Sequence, residues 1–182
     1  MIYNHLLRYT FVSMPKSGTH MFYLVLQDYY DGERYGKYHH IHLPPFDIGN
    51  YHVFTSCRNP YDRMVGAWWS TCIIQKRFSC GSIKFDEFVP WILEHRPYYP
   101  AVRVQSKHVK NFTFDSIIHL ENLAEEFKQL PFYNGQPTAI PYVHSFTNKR
   151  KPWLEYYDKK LLRLVGNHYA DDFKIYDYER LD

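Results

Sequence analysis

Apolar and polar positions alternate along this chain between runs that suit strands and runs that suit helices. Tyr9-Thr10-Phe11-Val12-Ser13-Met14 is rich in β-formers and stops at Pro15, which predicts a first strand. After Lys16-Ser17-Gly18-Thr19 comes a run apolar on most faces (Met21, Phe22, Leu24, Val25, Leu26, Tyr29), read as a buried helix. Asp31-Gly32 marks a turn, and Lys37 to Leu43 predicts a second strand ended by Pro44-Pro45. Gly49-Asn50 is another turn, and Tyr51 to Cys57 predicts a third strand. Pro60 is placed to open a helix from Tyr61 to about Ile74. Phe85 to His95 is helix-like, with Pro90 expected to kink or restart it.

Further on, Phe114 to Leu120 reads as a buried strand and Glu121 to Leu130 as the helix after it. Pro131 to Pro152 has four prolines and no period, a long surface loop. Asp158 to Tyr169 predicts a last amphipathic helix, followed by a short tail from Asp172 to Tyr178. Strands alternating with helices predict a three-layer α/β/α fold with a mostly parallel central sheet. Ligands of such sheets bind beyond the carboxyl ends of the strands, where Lys16, His42 and Arg58 are expected to emerge.

Length and composition narrow this picture. The 182 residues predict a single domain, 1–182, long enough for a real core. A net charge of +3 is too small to announce a nucleic-acid surface and suits a local anion site better. No apolar run approaches the roughly 20 residues of a membrane helix. Arg8 leads straight into the first strand, so no signal peptide is expected. Cys57, Cys72 and Cys80 form no dense disulfide framework, and a cytoplasmic, reducing setting is the expectation. The Asn111-Phe112-Thr113 sequon matters only in a secreted chain. Aromatic content of 19% predicts stacking surfaces as well as core.

The candidate chemistry starts in the first βα loop. Loop N–H groups, the positive end of the helix dipole and the Lys16 charge converge there, the plan of a phosphate cradle. The order is not that of a Walker A loop, since Lys precedes Gly. The same residues also suit an ordinary βα turn with a solvated lysine. Arg58, after the third strand, suits paired hydrogen bonds to a second phosphate, or a cap on the sheet edge. Alternation places His40 and His42 on one strand face and His39 on the other. Imidazole there suits proton abstraction, while His at i and i+2 also suits a shared metal ion.

Taken together, these pieces resemble the sulfotransferases that use 3′-phosphoadenosine 5′-phosphosulfate (PAPS). Met14-Pro15-Lys16-Ser17-Gly18-Thr19 looks like their 5′-phosphosulfate loop, and Phe54 to Trp69 is similar to their 3′-phosphate motif. His42-Leu43-Pro44 between them resembles the segment that carries the catalytic His of cytosolic members. Ile118 to Leu123 and Tyr156 to Tyr178, with Asp171-Asp172-Phe173, resemble the C-terminal half of Golgi-type and bacterial branches. The likeness covers most of the chain.

The resemblance implies the P-loop-NTPase-like sulfotransferase fold and transfer of a sulfuryl group from PAPS to a hydroxyl. The acceptor would be a carbohydrate or small molecule, and no metal and no nucleic acid would take part. His42 would be the base, with His40 beside it, and Lys16 would neutralise the leaving group. Pro15, Lys16, Ser17, Gly18, Thr19 and His20 would bind the 5′ end, and Arg58 the 3′-phosphate. One departure stands out, because Gly66 occupies a position where the family usually has a Ser that also binds the 3′-phosphate. Ser70, backbone N–H groups or a basic residue such as Lys149 or Arg150 would substitute, and a serine restored at 66 is expected to tighten binding. Trp91, Tyr98, Tyr99, Tyr142 and Trp153 are candidate stacking residues for the acceptor. The alternatives are a P-loop-like nucleotide kinase or NTPase, or a non-catalytic PAPS-binding relative.

Overall fold

The computed structural model describes residues 1–36, 44, 46–77, 83–139 and 150–181. The predicted strand 37–43, with His39, His40 and His42, lies outside the described residues, as do Cys80, Tyr142 and Lys149. The chain divides into two compact units, Met1–Cys57 with Val109–Asn148, and Arg58–His108 with Lys149–Asp182.

The first unit holds the sheet. Its strands are β1 (Ile2–Asn4), β2 (Tyr9–Val12), β3 (Glu33–Arg34), β4 (His52–Cys57) and β5 (Ser116–His119), in the order β3-β1-β2-β4-β5. β2 pairs parallel with β4, and β4 with β5. β1 runs antiparallel to both β2 and β3. The sheet is therefore mixed, which corrects the expected mostly parallel sheet.

Short-range chemistry explains the difference. β1 has only three residues, and its link to β2 (His5-Leu6-Leu7-Arg8) has no Gly or Pro to announce a hairpin. Asn4 makes the turn instead: its side-chain oxygen accepts from Leu7 N–H at 2.7 Å, and Arg8 takes a left-handed φ of 49°. The Asn4 amide also donates to the carbonyls of Tyr30 and Asp31.

β2 is buried at all four residues, as expected of a strand flanked on both edges. Helix α1 (Thr19–Tyr29) buries Met21, Phe22, Tyr23, Val25 and Leu26. Phe22 stacks on Phe11 of β2 with ring centroids 4.6 Å apart, and Tyr9 stacks on Phe132 at 4.2 Å. Phe54 and Phe127 join the same core, so much of the aromatic excess is structural here.

The second unit is helical. α2 (Pro60–Trp68) starts as the sequence predicts, with Pro60 in the first turn and Asn59 Oδ1 accepting from Tyr61 N–H at 2.9 Å. It passes into a π-helical turn, Trp69–Ile74, rather than staying α-helical throughout. α3 (Phe85–His95) runs through Pro90 as a single element, so the proline does not restart it. A short α4 (Gln105–His108) follows.

In the first unit, β5 leads through a 3-10 turn (Leu120–Asn122) into α5 (Leu123–Phe127). Back in the second, Asp158 caps α6 (Lys159–His168) by accepting from Leu161 N–H at 2.7 Å. The expected tail is instead partly helical, as α7 (Ala170–Ile175). α2, α3 and α6 supply most of this unit's core, with Val65, Phe88, Ile92, Val102, Leu161 and Val165 buried. Arg63 is fully buried in it, donating to the Tyr169 hydroxyl and to the Pro100 carbonyl.

Among the described residues, no helix is long and apolar enough to cross a membrane.

Candidate functional site

In the first unit, the end of β2 and the loop from it to α1 are held by their own backbone and three hydroxyls. Ser17 N–H donates to the Met14 carbonyl at 3.3 Å, and Thr19 Oγ1 donates to the same oxygen at 2.7 Å. From β4, Ser56 Oγ donates to the Ser17 carbonyl at 2.6 Å, and Thr55 Oγ1 to the Val12 carbonyl at 2.7 Å. Ser17 and Thr19 are buried, Lys16 and Gly18 are half-buried, and His20 is exposed.

The loop backbone turns left-handed at two places and is strained at one of them, Lys16. Lys16 has φ 71° and Gly18 has φ 77°, so a left-handed residue stands on each side of Ser17. A lysine in that region is uncommon, and such strain clusters where structure serves a site. Gly18 is required twice over, since a Cβ there would lie 2.7 Å from Leu120 Cδ1. Gly18 also occupies the N-cap of α1, where it offers no side chain to cover the helix's first N–H groups. An 11-residue helix therefore presents its positive end behind this loop.

The second unit gathers charge. Arg58 contacts Asp62 Oδ2 through Nε at 2.8 Å and Nη2 at 2.7 Å. Arg150 Nη2 donates to the other oxygen of the same carboxylate at 2.7 Å. The two arginine side chains are each 11% exposed and the Asp62 side chain 15%, so these charges sit largely out of water. Two guanidiniums share one carboxylate, and the three groups together carry one net positive charge. Burial, followed by repulsion from Arg58, lowers the Arg150 pKa, although Asp62 pulls it the other way.

Gly66 sits one helical turn beyond Asp62 on α2, and the arginines occupy the space a side chain would need. A Cβ there would meet Arg58 Nη1 at 3.2 Å, Arg58 Cζ at 3.7 Å and Arg150 Nη1 at 3.8 Å. Arg150 is thus the basic residue the structure brings to this position. Ser70 has another engagement, its hydroxyl donating back to the Ala67 carbonyl of α2 at 3.2 Å.

Sequence reasoning missed three participants. Asp62 reads as an ordinary first-turn acid, although its i, i+4 relation to both Arg58 and Gly66 was a usable signal. Gln105 and Asp172 are both fully buried; Gln105 holds the Arg58 main chain and carried no motif, and Asp172, quoted only within the Asp171-Asp172-Phe173 resemblance, holds Gln105. Elsewhere in the first unit, His119 ends β5 with its Nδ1 at 3.1 and 3.2 Å from the Glu126 carboxylate oxygens.

The aromatic candidates for an acceptor disperse. Trp153 stacks on Tyr61, with centroids 5.5 Å apart, and Trp91 stacks on His95. The Tyr99 hydroxyl accepts from Arg77, and Tyr98 is 81% exposed. Among the described residues no group of His, Cys, Asp and Glu is arranged to hold a metal ion. Comparison with protein-family models, curated proteins and solved structures returns no significant match.

Proposed function

We propose that this chain is a sulfotransferase that takes PAPS as sulfuryl donor and a hydroxyl of a carbohydrate or small molecule as acceptor. The observation that carries the reading is the arginine pair over Gly66. A nearly buried pair of guanidiniums sharing a single carboxylate keeps a net positive charge and is chemically suited to a doubly charged phosphate. It stands where the resemblance to the family calls for a 3′-phosphate site, and it supplies charge where the usual hydroxyl is missing. The left-handed loop at Lys16 and Gly18 adds a second anion-suited feature before α1.

PAPS supplies the activated sulfuryl group, and the chain supplies positioning and charge. Arg58 and Arg150 hold the 3′-phosphate and so discriminate PAPS from nucleotides that lack it. Lys16 neutralises charge at the bridging oxygen, helped by the N–H groups of Gly18 and Thr19. His42 is the base assigned to take the proton of the acceptor hydroxyl, and His40 is the second candidate.

An acceptor screen with radiolabelled PAPS, run without divalent cations, tests the reading. Label should pass to at least one carbohydrate or phenolic acceptor. His42→Ala should abolish transfer while nucleotide binding stays within a few-fold, and His40→Ala should remain partly active. Transfer that demands Mg²⁺, or hydrolysis of ATP in its place, would turn the assignment to a nucleotide kinase or NTPase.

A further inference from the structure

The guanidinium of Arg58 can only be as well placed as its backbone. That backbone is held by a side-chain relay within the second unit. Gln105 is fully buried, and its amide makes two opposed bonds to one residue. Its Oε1 accepts from Arg58 N–H at 3.1 Å, and its Nε2 donates to the Arg58 carbonyl at 3.1 Å. This reproduces, with a side chain, the paired bonds that a neighbouring strand would give.

Gln105 is itself fixed. Its backbone N–H donates to Asp172 Oδ2 at 2.7 Å, and Ser106 N–H donates to Asp172 Oδ1 at 2.9 Å. Gln105 Nε2 lies 3.5 Å from the same Oδ2. Asp172, in the first turn of α7, is also fully buried. A buried carboxylate is costly unless hydrogen-bonded, and this one spends both oxygens on α4. The order of support runs from Asp172 to Gln105, from Gln105 to the Arg58 main chain, and from there to the Arg58–Asp62–Arg150 cluster.

We infer that Gln105, anchored by Asp172, is the positioning residue that sets the anion selectivity of the arginine pair. The inference rests on the sulfotransferase reading, because the anion it concerns is the 3′-phosphate. Glutamine is the side chain of this length that both accepts and donates at Arg58. Gln105→Glu keeps the acceptor, loses the donor, and sets a carboxylate beside Asp172 and the Arg58 carbonyl. Gln105→Met keeps length and removes both bonds without adding charge.

The test compares adenosine 3′,5′-bisphosphate with adenosine 5′-monophosphate, by calorimetry, on the full chain. The wild type should prefer the bisphosphate, and Gln105→Met should reduce that preference ~10-fold or more while the monophosphate binds as before. Gln105→Glu should behave alike, and supports the same conclusion if Gln105→Met does not fold. A preference unchanged in the folded variant, or an equal loss for both ligands, would overturn the positioning role and leave the sulfotransferase reading standing. A wild type with no preference for the bisphosphate would remove that reading, and the inference with it.

Discussion

The two anion-suited regions of this protein are built in opposite ways. The loop before α1 is made of backbone: two left-handed residues, hydroxyls that fasten carbonyls, and a helix end, with Lys16 its single cation. The cluster at the start of α2 is made of side chains, with Arg58 and Arg150 meeting on Asp62 over a glycine. The first places partial charges that cost little to hold, and suits charge that appears during a reaction. The second concentrates full charges away from water, and suits a permanent, doubly charged group. Under the proposed function, one region serves turnover and the other recognition.

That division is open to direct attack, beginning with Lys16. Lys16→Ala should lower turnover ~100-fold or more, the scale of losing one preorganised electrostatic donor. Bisphosphate affinity should change far less, and steady-state kinetics beside calorimetry separate the two. Turnover within a few-fold of wild type would remove the loop from catalysis.

Arg58→Ala should show the mirror image. Bisphosphate binding should weaken by roughly 2–4 kcal/mol, as for truncating one member of a buried charged pair. Monophosphate binding should hold. Arg150→Ala should follow the same pattern, because it shares the carboxylate and stands over the same glycine.

The backbone region should be sensitive to a single methyl group. Gly18→Ala forces a Cβ onto a left-handed residue and against Leu120, and should cost ~1–3 kcal/mol of stability in chemical denaturation. Wild-type stability would mean that the loop does not need that conformation.

The smallest effect sharpens the contrast most. The family resemblance leads one to expect that a serine at 66 improves phosphate binding. The structure sets a constraint against it, since a Cβ there lies 3.2 Å from Arg58 Nη1 and the guanidinium must give by a few tenths of an ångström. Gly66→Ser should therefore weaken bisphosphate binding by about 1 kcal/mol, near the net value of one hydrogen bond. Tighter binding would return the role to the hydroxyl.

The elements that were legible in the sequence are those whose signals are local. β2, α1, β4, the start of α2, α3 and α6 announce themselves by period, proline and caps, as Pro60 with Asn59 and Asp158 show. β1 was not legible, because three residues carry no period and the turn after it is made by the Asn4 side chain, with no Gly or Pro to mark it. The antiparallel edge of the sheet was lost with it. In the candidate site, the loop and Arg58 could be read from short motifs. Asp172 joins Gln105 across 67 positions and Arg150 joins Asp62 across 88, separations that no local pattern encodes.

The most direct measurement of the central claim is calorimetry on the wild-type chain without divalent cations. Adenosine 3′,5′-bisphosphate and adenosine 5′-monophosphate differ only in the group assigned to Arg58 and Arg150. The account predicts that the bisphosphate binds ~100-fold or more tightly, the equivalent of roughly 3 kcal/mol from a buried, charged pair. Equal affinity for the two, or binding that appears only with Mg²⁺, would contradict it.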